Sequence, residues 1–118
     1  MGGSYGSVLK YKLAVAFART RSDRLVLAHC VRHLGDAYRR LDRAEPAESC
    51  YVEALSIYRR EQATKPLDLA NALRGFALLK EGVGARDESR RLWQEAHDLY
   101  LKVNVPAGVQ ECLAKLRA

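Results

Sequence analysis

A chain of 118 residues, 48% apolar and 29% charged, suffices for one domain with a core and is too apolar to remain disordered. No run approaches the roughly 18 apolar residues that a membrane span requires, so no membrane partner is expected. The net charge of +6 would attract acidic peptides, nucleic acid or phosphate alike, although arginines also gather at helix C-termini, where positive charge offsets the dipole.

Residues 1–6, rich in Gly and Ser, read as a disordered end or a remnant added to the chain, and are compatible with a segment of a longer protein. From residue 7 to 118 the pattern is that of a single helical domain. Residues 7–21 make the first helix, with Leu9, Leu13 and Ala16-Phe17 as its apolar face. Ser22-Asp23 offers capping oxygens to a second helix over about 24–41, striped by Leu27, Val31, Leu34, Tyr38 and Leu41. Asp42 is the expected cap of a third helix over about 44–62, with Pro46 in its opening turn and Ala47, Tyr51, Ala54 and Tyr58 on its stripe.

A break at Ala63-Thr64-Lys65-Pro66 leads to a fourth helix bearing Leu69, Leu73, Phe76 and Leu79, which ends at Gly82-Val83-Gly84. The fifth helix, about 86–103, opens on Asp87-Glu88 and is striped by Trp93, Ala96 and Tyr100. Asn104-Val105-Pro106 repeats the spacing of Thr64-Lys65-Pro66 and begins a sixth helix over 106–117. Nothing alternates with period two, so the fold class is all-α. Cys30, Cys50 and Cys112 show no CxxC spacing and read as buried, reduced thiols of a cytoplasmic protein.

The chain repeats itself after 42 residues. Leu27, Ala28, Arg32, Glu53, Ala54 and Tyr58 recur as Leu69, Ala70, Arg74, Glu95, Ala96 and Tyr100, and Tyr51 recurs in character as Trp93. The residues that match are mainly those of the apolar stripe. A helical hairpin cannot bury its apolar face alone, so such a period implies stacked neighbours.

Val31, Leu34-Gly35, Tyr38, Ala47, Tyr51 and Ala54, echoed by Leu73, Phe76-Ala77, Lys80, Ser89, Trp93 and Ala96, resemble the tetratricopeptide repeat family. Neither copy has the signature's first tryptophan, Lys80 replaces an aromatic, and no proline closes the second helices. The period is similar to the longer repeat of kinesin light chains and bacterial signalling proteins. The resemblance implies antiparallel hairpins stacked as a right-handed α-solenoid of about six helices. Residues 27–68 and 69–105 would be its repeats, 7–21 the remaining helix of an incomplete one, and 106–117 a cap.

The same resemblance implies a concave groove lined by the first helix of each repeat. His29, Arg32, His33, Asp36 and Arg39 would project into it from one copy, and Asn71, Arg74 and Leu78 from the next. Arg32 and Arg74 would anchor carboxylates of a protein or peptide partner, an acidic one included, with Leu78 as an apolar contact. Against this stands a solvated face in which Arg32 pairs with Asp36, four residues on.

His29 and His33 have the i, i+4 spacing of a metal pair but lack further ligands, and Cys30 lacks the partners of a nucleophile. No catalytic residue, metal or cofactor is therefore expected. Nucleic acid is supported by charge alone, without a helix-turn-helix spacing or an aromatic platform. The sequence thus reads as a non-enzymatic interaction scaffold. Homodimerisation through apolar terminal helices, or a regulatory role within a larger protein, is the alternative.

Overall fold

The computed structural model describes residues 3–118, with side chains described from Tyr5 onward. Six helices account for nearly all of it: α1 (Gly3–Arg19), α2 (Arg24–Arg40), α3 (Ala44–Arg60), α4 (Pro66–Gly82), α5 (Arg86–Lys102) and α6 (Pro106–Arg117). No strand occurs among the described residues. The all-helical expectation therefore holds. Residues 1 and 2, part of the expected disordered or added end, lie outside the described residues, whereas Gly3 to Gly6 already belong to α1.

The helix boundaries follow from local chemistry. Asp23 caps α2, its carboxylate accepting from Leu25 N at 3.0 Å and Val26 N at 3.2 Å. Pro66 and Pro106 open α4 and α6 where a missing N–H costs nothing. Asp42 does not cap α3 as expected: Arg43 holds that position, with no side-chain hydrogen bond. Asp42 instead lies in the left-handed region at φ 58°, and so do Gly84 (φ 80°) and Asn104 (φ 58°). At each, the following N–H reaches back to a carbonyl of the helix just ended: Arg43 N to Tyr38 O, Ala85 N to Lys80 O, Val105 N to Tyr100 O. These are three copies of one C-terminal turn, and Asp and Asn, which tolerate the left-handed region, substitute for the usual glycine.

Contacts gather the chain into two compact units, Met1–Gln62 and Ala63–Ala118. In the first, α2 packs on both α1 and α3. The core comprises Leu27, Ala28, Val31 and Ala37 of α2, Ala47, Tyr51, Ala54 and Tyr58 of α3, and Val15 and Ala18 of α1. Residues ascending along α2 meet residues descending along α3, His29 against Tyr58 and Asp36 against Tyr51, so the pair is antiparallel. Gly35 lets the two helices close, since a Cβ there would lie 3.0 Å from Cys50 Cβ and 3.3 Å from the Tyr51 ring.

In the second unit α5 packs on both α4 and α6. Ala70, Leu73, Phe76 and Ala77 of α4 enclose Trp93, Ala96 and Tyr100 of α5, and Gly108 and Cys112 complete the core from α6. Lys80, in place of an aromatic, is also buried; its ammonium reaches Glu88 at 3.3 Å and lies over the Phe76 ring. The 42-residue period is visible in bonding as well. His29 Nδ1 and Tyr58 Oη are 2.6 Å apart, and Tyr100 Oη donates to Asn71 Oδ1 at 2.7 Å, the same two positions one period later.

One apolar face is the reverse of the expected one. Leu9, Leu13 and Phe17 of α1 are 61%, 64% and 65% exposed, and Tyr5, on the same line, is 76% exposed. The covered side carries Tyr11, which stacks on His33 with ring centroids 5.3 Å apart, together with Val15 and Ala18. α1 is apolar on both sides, and only one of them meets α2.

Candidate functional site

The polar side of α2 carries five of the expected groove residues, and in the first unit they bind one another. Asp36 is the hub. It accepts a short hydrogen bond from Tyr51 Oη, and the guanidiniums of Arg39 and Arg32 stand 3.6 Å and 3.9 Å from it. Arg39 Nε also donates to Tyr51 Oη at 3.0 Å. Burial pushes the Tyr51 phenol pKa up, and the neighbouring Asp36 carboxylate pushes it further the same way, so the hydroxyl stays protonated and donates.

Arg32 and Asp36 are only 14% and 15% exposed at the side chain, and Arg32 Nε is buried without a hydrogen-bond partner. A ligand carboxylate at Arg32 would have to reach a largely buried guanidinium and compete with Asp36 for it. His29 and His33 are taken up by separate aromatic rings, Tyr58 and Tyr11, rather than converging on a shared ligand. Burial first, and the positive charge of Arg32 next, lower the His33 pKa, so the imidazole is held neutral.

In the second unit, Asn71, Arg74 and Leu78 lie along α4. Arg74 grips Glu111 of α6 in a two-point bond, Nε to Oε1 at 2.6 Å and Nη2 to Oε2 at 3.1 Å. The pair stays accessible, with 42% of the Arg74 side chain and 31% of that of Glu111 open to solvent. A shallow cavity of about 510 Å³ opens beside it, lined by Leu67, Asn71, Arg74, Tyr100, Gly108 and Glu111 among others. Leu78 is half-buried. One turn further along α4, Glu81 bonds Lys115 of α6 at 2.7 Å.

The Arg32–Asp36 pair follows from spacing alone. Glu111, 37 residues from Arg74, does not, because nothing local connects them. Sequence reasoning allowed for an apolar terminal helix but took what is the open face of α1 for its covered one. Its signal was the step of four through Tyr5, Leu9, Leu13 and Phe17, but the opposite side of the helix is apolar too.

No nucleophile is activated among the three cysteines: burial pushes Cys50 and Cys112 up to about 11 and raises Cys30 as well. No group of three metal-ligating side chains occurs among the described residues, and no helix there is long and apolar enough to cross a membrane. No protein-family model matches the chain, and no curated protein matches it.

Proposed function

We propose that this protein is a non-enzymatic interaction module, a tetratricopeptide-like helical repeat that works by holding another protein surface. The observation that carries this reading is the uncovered face of α1: four large apolar side chains in line, each more than half exposed. An exposed contiguous apolar patch on a helix marks a contact site. The repeat supports it further, since the tyrosine bond between α2 and α3 recurs between α4 and α5.

The test is a photoactivatable phenylalanine in place of Phe17, with one in place of exposed Gln94 as the control. Protein adducts at position 17 and not at 94 are expected; equal yields at both would remove the basis for the reading.

A narrower form, docking of an acidic peptide, is favoured by one observation: Arg74 and Glu111 face an open cavity beside the Asn71 amide. A peptide carboxylate there would exchange with Glu111 on the guanidinium. Arg32, tied to Asp36 and largely buried, is the weaker of the two expected anchors. Anisotropy of a labelled peptide ending in an acidic residue should show binding that Arg74→Glu abolishes; binding that survives this change places the peptide elsewhere.

A further inference from the structure

The open face of α1 has counterparts one and two repeats along the chain. α1, α3 and α5 begin at residues 3, 44 and 86, and in that register Phe17 matches Tyr58 and Tyr100, while Leu13 matches Ala54 and Ala96. Tyr58 and Tyr100 are the residues that bond to α2 and α4, and Ala54 and Ala96 are fully buried beside them. The positions left open on α1 are therefore those which, in the later copies, seat an antiparallel helix. This geometry calls for a helix rather than an extended strand or a lipid surface.

We propose that the helix is α1 of a second copy, the two packing antiparallel about a two-fold axis near residue 11. The inference rests on reading α1 as a contact face. Two features favour a second copy. The stripe is self-complementary: in antiparallel register Leu9 meets Leu13 of the other copy, and Tyr5 meets Phe17. Four such side chains expose on the order of 500 Å² per copy, so that two copies bury about 1,000 Å², the lower bound for a specific interface.

Lys10 and Lys12 flank the stripe on opposite sides, and α1 holds no acidic residue. The two-fold axis brings each lysine toward its own copy, so salt should strengthen the dimer by screening that repulsion. An acidic protein or an anionic membrane on the same face would instead be weakened by salt.

The test is sedimentation equilibrium of the full chain over a wide concentration range at low and high salt. The expected result is a mass rising from 13.2 kDa to twice that value, with tighter association at high salt. Leu13→Asp, which occurs twice in a symmetric contact, should raise the dissociation constant by about a hundredfold or more, while the thermal melt at concentrations where the parent is monomeric stays unchanged. Mixing the parent chain with Lys10→Glu should favour the mixed dimer over either parent dimer.

A mass that stays at 13.2 kDa throughout, or a dimer indifferent to Leu13→Asp, overturns the proposal. So does a monomer that floats with phosphatidylserine vesicles and is released by salt. If the chain is monomeric and position 17 still yields adducts with another protein, the second copy is excluded and the contact-face reading stands. If position 17 yields no specific adduct either, both fall.

Discussion

Gly108→Ala should destabilise the protein, although alanine is the better helix former. A Cβ at position 108 would lie 2.6 Å from Tyr100 Cγ and 2.7 Å from both Cδ atoms, closer than side chains approach one another. Tyr100 is only 3% exposed, and its hydroxyl is held by Asn71, so the ring can retreat only by losing both packing and that bond. Overpacking of this kind costs about 1–3 kcal/mol and a lost hydrogen bond about 1 kcal/mol. The helix gains at most about 1 kcal/mol from alanine, which leaves a net loss of about 1–3 kcal/mol.

For a chain of this size each kcal/mol moves the midpoint by about 4 °C, within reach of a thermal melt followed by circular dichroism. Gly82→Ala is the control, since nothing lies within 4 Å of its added Cβ, and it should melt at or slightly above the parent. Adding Tyr100→Leu to Gly108→Ala should cost less than the sum of the two single changes, because the smaller side chain removes the clash. A Gly108→Ala variant that melts at or above the parent would refute the packing of α6 on α5 described above.

Tyr51→Ala and Trp93→Ala should each cost about 3–5 kcal/mol in urea unfolding, since both are core aromatics at equivalent repeat positions; a loss below about 1 kcal/mol for both would mean the repeat register is wrong. His33, its pKa lowered by burial among Tyr11, Arg32, His29, Asp36 and Arg40, takes up a proton in the unfolded chain before the folded one. Stability should therefore be level from neutral pH to about 9, where the thiols of the unfolded chain begin to ionise, and decline as pH falls below about 6.5, a decline that His33→Gln should flatten in melts taken at several pH values. At neutral pH iodoacetamide should alkylate Cys50 and Cys112 far more slowly than in urea, because burial holds both near 11; equal rates by mass spectrometry would contradict that burial.

The helices were legible because their ends are chemical. Asp23, Pro66, Pro106 and the Gly82-Val83-Gly84 stop each act within a few residues, so a local reading finds them. Asp42 shows the limit of that reading. The same side chain serves as an N-cap or as a left-handed residue closing the previous helix, and only the backbone path distinguishes the two roles. On α1, a step of four fits the exposed line through Leu13 as well as a step of three or four fits the covered line through Val15. Periodicity reports that a face is apolar, not whether a neighbour arrives to cover it.

The residues expected to line a groove were partly legible for a similar reason. Their placement on α2 and α4 follows from helical spacing, but their engagement by Tyr51, Tyr58 and Glu111 depends on helices that fold back from further along the chain. Polar side chains that the sequence shows as available are therefore largely occupied in the fold.

The bond from Tyr58 to His29, and its echo from Tyr100 to Asn71, defines a joint by role rather than by residue. Its tyrosine is constant, while the opposing side chain need only present one polar atom at the right height on the helix. An imidazole nitrogen and an amide oxygen both satisfy it. Position 29 and its equivalents are thus places where the repeat can diverge in sequence without loosening, and a family of such chains would keep the tyrosine and vary its counterpart.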